Sequence, residues 1–204
     1  MLPQTRLYTP EEYLPLEEKS PIKSEFYRGR IYQMTRATLN HNTITANLSG
    51  LLFQTINRKT CRHFIGDMRL LVKANGLYTY PDLMVVYRPV DLTFGRKDTI
   101  TNPDLIIEVL SDSTAEYDRT DKFDLYKELD SLQNYVLVDQ HRPYIQVFRR
   151  LENEPHLWVL ESFSGLENQV RLPALDITLS LADIYDLVKC PEPEAKAEHP
   201  QQPQ

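Results

Sequence analysis

Glycine is scarce in this chain: there are six in 204 residues, and none sits in a glycine-rich phosphate loop. No Gly-x-Ser-x-Gly elbow, no paired Cys-x-x-Cys and no His-Glu-x-x-His occurs either, so common nucleotide-binding, serine-hydrolase and zinc chemistries are set aside. The two cysteines, Cys61 and Cys190, lie far apart and make neither a disulfide framework nor a metal cluster. No apolar run approaches the roughly 20 residues of a membrane helix. The opening MLPQTRLYTP lacks the charged-then-apolar pattern of a signal peptide. A reducing cytoplasm is the default expectation, with no membrane partner.

Positive charge is also in short supply. The net charge is −6, which argues against nucleic-acid binding by bulk electrostatics. Its distribution is uneven. Lys23, Arg28, Arg30, Arg36, Arg58, Lys59, Arg62, Arg69 and Lys73 are opposed only by Glu25 and Asp67, so residues 23–73 carry about +7 and the remainder about −13. Such asymmetry marks either a surface that faces a polyanion or a charge imbalance without function.

What is present is globular: 41% hydrophobic and 25% charged residues, enough for a full core. Thr9-Pro10-Glu11-Glu12 is a capping box with proline at the first helical position, which predicts a short helix to about Lys19. IKSEFYRGRIYQM alternates around Arg28-Gly29 and reads as a hairpin. An amphipathic helix follows over about Leu39 to Arg58, with Ile44, Leu48, Leu51, Leu52 and Ile56 as its stripe. Strands are expected at about 61–73 and 77–87, joined by Asn75-Gly76. The run DLIIEVL at 104–110 suits a central strand buried on both faces. A helix from about Arg119 to Leu129 leads to the strand NYVLVD. RPYIQVFRR, HLWVLESF and QVRL continue an antiparallel series, and Leu181 to Val188 makes a last helix. The proline-rich tail at 190–204 reads as disordered, leaving 1–189 as one domain. The order implies an α/β (α+β) fold, a mixed sheet with helices packed on it.

Two acids stand inside apolar strands: Asp82 in YPDLMVV and Glu108 in LIIEVL, 26 positions apart. A buried carboxylate is costly unless paired, hydrogen-bonded or bound to metal. They are either structural acids that cap loops or meet arginines, or two ligands of one divalent cation such as Mg²⁺. Glu25 is a candidate third acid, or the partner of Lys23 or Arg28. On a helical projection Leu125, Tyr126 and Leu129 fall within about 60° of Lys122. Lys122 therefore lies in the middle of an apolar stripe: it either snorkels past the sheet edge or meets the acidic cluster, where an ammonium could hold a water or offset phosphate charge. His41, on the apolar face of its helix, is best read as a satisfied core histidine. Asp67 and Asp104 read as turn and strand-end residues.

The segments EEYLPLEE, SEFYRGRIYQM, HN, DMRL, YPDLMVV, NPDLIIEVLSDSTAEYDRTDKFDLYKELDSLQNYVLVDQ and RLPALDITLSLADIY together resemble the Uma-two family of restriction-endonuclease-like proteins. That family is a branch of the PD-(D/E)XK phosphodiesterase superfamily, and the resemblance spans about residues 7–189. It implies a restriction-endonuclease-like core, Mg²⁺ or Mn²⁺ as cofactor, and hydrolysis of DNA phosphodiesters. Pro81-Asp82 matches the PD element, Glu108 the second acid, and Glu25 an acid near the start of the family's core. The superfamily pattern asks for lysine at position 110, where Leu110 stands; in this family the lysine on the following helix matches Lys122. Asp82, Glu108 and Lys122 are thereby implied as catalytic, and Glu25, Asp82 and Glu108 as metal ligands. The leading expectation is a metal-dependent endodeoxyribonuclease, assembled as a homodimer to cut two antiparallel strands. The alternative is a catalytically silent DNA-binding or assembly module that retains the fold. A purely structural protein ranks last, since it leaves the buried charges unexplained.

Overall fold

The structure is a computed structural model, and it describes residues 6–190; the tail expected to be disordered lies, apart from Cys190, outside them. Thr9 starts the chain's first helix, α1 (Pro10–Lys19), through the expected capping box: Glu12 N–H donates to Thr9 Oγ1 at 3.3 Å and Thr9 N–H to Glu12 Oε2 at 3.0 Å. Next come β1 (Ser24–Tyr27) and β2 (Arg30–Gln33), an antiparallel hairpin. Its turn places Arg28 and Gly29 at φ 47° and 80°. Gly29 suits that position on two grounds, its positive φ and the Leu7 side chain, which a Cβ there would approach to 3.0 Å. The long helix α2 (Leu39–Thr55) ends three residues before the expected Arg58.

Residues 61–73 and 77–87, each expected as one strand, both break. The first becomes β3 (Arg62–Ile65) and β4 (Arg69–Val72); the second becomes β5 (Leu77–Thr79) and β6 (Leu83–Val86). The ribbon forks, with β4 and β5 in one sheet and β3 and β6 in the other. Gly66, at φ 34°, and Pro81, which has no N–H for the ladder, flank the fork, and Gly66 N–H donates to the Asp82 carbonyl at 2.9 Å. Asp82 is thereby left at the seam between sheets rather than inside a strand.

The remaining elements are β7 (Thr99–Ile100), β8 (Leu105–Leu110), α3 (Ala115–Arg119), α4 (Asp121–Tyr126), β9 (Asn134–Asp139), β10 (Tyr144–Arg150), β11 (Trp158–Ser164), β12 (Gln169–Leu172), β13 (Ile177–Ser180) and α5 (Leu181–Ile184). The larger sheet runs β11-β10-β9-β8-β6-β3, with β8 and β9 parallel; the smaller runs β2-β1-β5-β4-β7, with β4 and β7 parallel; β12 and β13 pair alone. This is the expected mixed-sheet α+β architecture. Where a helix is expected over 119–129, α4 covers only 121–126, and a separate short helix, α3, precedes it across Thr120; the last helix is four residues rather than eight. QVRL leaves the antiparallel series to pair with β13, a strand the sequence did not reveal.

β8 is buried along its whole length, as its apolar run requires. Leu105, Ile107 and Val109 point to one side, where Ile44, Leu48 and Leu52 of α2 cover the sheet. Ile106 and Leu110 point to the other, toward Tyr126, Leu129 and Leu132. Glu108 alternates with them and faces this second side. On the smaller sheet, α1 packs Tyr13 on Phe26 and Tyr78, and Tyr13 Oη donates to the Ser24 carbonyl at 2.6 Å. Glu17 accepts from Ser24 N–H at 2.9 Å and from the Ser24 hydroxyl. These bonds fix the residue next to Glu25.

Leu48 is wholly buried, so Leu48→Ala is expected to cost about 3 kcal/mol in urea unfolding, by lost transfer energy plus the cavity left behind.

Candidate functional site

Lys122 is the centre of the site. It is 5% exposed, and its ammonium stands 3.0 Å from Glu108 Oε1, 3.1 Å from Glu25 Oε1 and 3.4 Å from Asp118 Oδ1. Each partner arrives on a different element: Glu108 from β8, Glu25 from β1, and Asp118 from α3, four residues before the lysine across the Thr120 hinge. Of the two readings of Lys122, the structure gives the acidic cluster and not the snorkel. Glu25 is not paired with Lys23 or Arg28; it meets Lys122 and accepts the Thr79 hydroxyl. Tyr126 Oη donates to Glu108 Oε1 at 2.8 Å.

Asp82 and Glu108 are stitched together through the backbone. Asp82 N–H donates to Glu108 Oε2 at 3.2 Å, and Val109 N–H donates to Asp82 Oδ2 at 2.8 Å. The carboxylates of the fork and of the central strand are thus held in one place. His41 Nε2 lies 3.2 Å from Asp82 Oδ2. The expectation of a core histidine is corrected: α2 directs its first turn at the site, and the ring meets the Asp82 carboxylate in the cleft. Leu110 is buried in the apolar cluster beneath α4. Position 110 serves packing, and the cation near Glu108 is supplied by Lys122.

Four acids and one lysine leave a surplus of negative charge. Burial raises the Glu108 carboxyl above its ordinary range; the Lys122 ammonium opposes this, while Asp82 and Asp118 add to it. Burial likewise raises Asp118, again against Lys122. For Lys122 burial alone would lower the pKa, but Glu108 and the neighbouring acids outweigh it and keep the ammonium charged. A surplus of hard oxygen donors at a partly accessible carboxylate fits a divalent cation, which takes one or two protein carboxylates and completes its shell with water and phosphate. Among the described residues no group of three His, Cys, Asp or Glu side chains makes a ready-made metal cage. Asp82 and Glu108 are the neighbouring carboxylates that could supply such donors, and Glu25 meets the lysine.

The acids open into a cleft of about 810 Å³ whose rim includes Tyr27, Arg28, Tyr32 and Arg36 from the hairpin side and Tyr117 from the helical side. Of the nine basic residues in 23–73, Arg28 and Arg36 line this cleft. Arg69 does not belong to any binding face: it is buried, donating to Tyr80 Oη at 2.9 Å with Asp98 at 3.7 Å. Lys23 pairs with exposed Asp67. Asp104 accepts from Tyr87 N–H at 2.8 Å and Arg88 at 2.7 Å, the strand-end role expected of it. Among the described residues no helix is long and apolar enough to cross a membrane.

A fold in which a forked mixed sheet brings a carboxylate at the fork, a carboxylate of the central strand and a helix lysine together is restriction-endonuclease-like. The comparisons agree. A family model described as "Putative restriction endonuclease", Uma2, matches residues 10–182, and the chain belongs to that family. Two Synechocystis sp. proteins are relatives: sll1609 is 35% identical over 85% of this chain and 97% of its own length, and slr1290 is 33% identical over 87% and 90%. The crystal structure of "a putative nuclease belonging to DUF820" from Anabaena variabilis superposes with a TM-score of 0.69 at 20% identity, covering 88% of this chain and 98% of that one. It shares the fold.

Two measurements check this geometry. Burial pulls the His41 imidazole down, but its bond to Asp82 and the charges of Asp82, Glu108 and Asp118 raise it above 6.5. In metal-free protein, NMR titration should place it above 6.5, and Asp82→Asn should bring it below. A pKa raised on folding means that this contribution to stability is full below pH 6.5 and fades as pH rises through the folded value. Lys122→Met should lower the unfolding free energy by about 3 kcal/mol, because three buried carboxylates lose their cation.

Proposed function

We propose that this protein is a metal-dependent endonuclease that hydrolyses DNA phosphodiesters, with Asp82 and Glu108 holding Mg²⁺ or Mn²⁺ and Lys122 acting beside them. The observation that carries the reading is the 3.0 Å approach of the Lys122 ammonium to the Glu108 carboxylate, which itself is bonded to the Asp82 backbone. A cation bound there would polarise the phosphate and acidify a water. Lys122 would hold the attacking water toward phosphorus and offset the charge that grows on the phosphoryl oxygens as the P–O bond breaks. Tyr126 keeps Glu108 turned by donating to Oε1. Glu25 would position Lys122, which its Oε1 meets at 3.1 Å, and its second oxygen leaves it available as a further ligand. His41 would steady Asp82 at Oδ2, the oxygen that also accepts from Val109 N–H.

Membership of a family described as restriction endonucleases supports DNA as the substrate. The silent-module alternative rested on Leu110 and the acidic net charge. Lys122 meets the first objection, since an ammonium reaches Glu108 without a lysine at 110.

The test is incubation of purified protein with plasmid and oligonucleotides in Mg²⁺, Mn²⁺ or chelator. Cleavage is expected with either metal and not with chelator, and Asp82→Asn should reduce it at least about 100-fold. Calorimetry should show Mg²⁺ binding by the wild type and not by the variant. Metal-independent cleavage, or full activity in Asp82→Asn, would overturn the proposal.

A further inference from the structure

The geometry points to a single, unpaired DNA strand, not an intact duplex, as the form of substrate that enters this site, an inference that rests on the endonuclease reading and narrows its substrate.

Depth is the first ground. Glu108 and Lys122 are each at most 5% exposed and the Asp82 side chain is 21% exposed, so these groups lie toward the floor of the cleft and not on a ridge. The space above them, about 810 Å³, is within the range of cavities that hold a small molecule, roughly 300–1,000 Å³. A few nucleotides fit there. A stiff duplex is too broad to lower one backbone phosphate to that floor, whereas an unpaired strand can thread down to it.

The second ground is the chemistry of the walls. In the β1–β2 hairpin Glu25 is the cross-strand partner of Tyr32, so the two side chains share a face. Alternation along β1 puts Tyr27 on that face too, while Phe26 points away to α1. The hairpin thus delivers one charge to the floor and two phenol rings to the wall of the same cleft. Tyr32 is 48% exposed, a high value for a ring with no core to fill. Tyr117, half-buried, stands on the helical wall. Arg28 lies over the Tyr27 ring at 5.0 Å, and Arg36 also lines the rim. Rings beside guanidinium groups in one cleft are what unpaired bases and their phosphates require: every base has a face to stack, and each phosphate needs a cation. Duplex DNA hides those faces in its own stack and offers nothing to Tyr32. A net charge of −6 also disfavours wide duplex-backbone contact and leaves recognition to this local arrangement.

The test is binding and cleavage measured separately. Anisotropy of a fluorescein-labelled 12-nucleotide strand and of its blunt duplex is followed in Ca²⁺ buffer, with wild type, Tyr32→Ala and Tyr32→Phe. Thermal melts confirm that the variants fold. The single strand should bind at least roughly tenfold more tightly than the duplex, Tyr32→Ala should weaken it by roughly tenfold, and Tyr32→Phe should stay within about twofold, since the ring and not the hydroxyl stacks. Equal or tighter duplex binding, or an unchanged Kd in Tyr32→Ala, overturns the inference. Cleavage of both DNAs is then scored in Mg²⁺ and Mn²⁺. Cutting of duplex alone defeats the inference and leaves the endonuclease reading standing. Strand-selective binding without any cutting does the reverse.

Discussion

One buried ammonium holds this site together. Lys122 is surrounded by Glu25, Glu108 and Asp118, and without it three carboxylates from three elements would repel one another in a medium that screens them poorly. Its charge is what allows the smaller sheet, the central strand and the hinged helices to converge. The same convergence leaves more anion than cation, and that imbalance is the electrostatic basis for expecting a divalent ion. Architecture and chemistry therefore share a cause.

The fork in the strands supplies the other half. A continuous ladder through residues 80–82 would bond the Asp82 backbone on both sides and turn its side chain into a sheet face. With Pro81 interrupting the ladder and Gly66 opposite, Asp82 N–H is free to bond Glu108, and its carboxylate accepts from Val109 and meets His41. Leu110, two residues beyond Glu108 on the same face, is then released to the core.

Much of this was legible in the sequence because charge is rare in apolar segments. Asp82, Glu108 and Lys122 stood out as violations of burial patterns, and the structure brings Lys122 to Glu108 and Glu108 to Asp82. Asp118 was missed because the periodic stretch begins at Arg119, leaving the acid outside it; the four-residue spacing to Lys122 was the available signal. His41 carried the same signal as Lys122, a polar group on an apolar face, but a neutral imidazole is tolerated in cores and the signal is weaker. The strand breaks were hidden because alternation continues across a bend, and only pairing partners far along the chain decide which sheet each half joins. Two-residue β7 owes its existence to such distant pairing, with β4, whereas β13 closes a local hairpin with β12 across residues 173–176.

Tyr13 and Glu17 give the amino-terminal helix a task that its distance from the acids conceals. By gripping both the amide and the carbonyl of Ser24, they set the pitch of the strand that carries Glu25. The far side of the smaller sheet thus works as a splint for the chemistry on its near side. Loosening that remote helix should blur the lysine's aim before it threatens the larger core, so damage at the back of the molecule would register first as misplaced charge at the front.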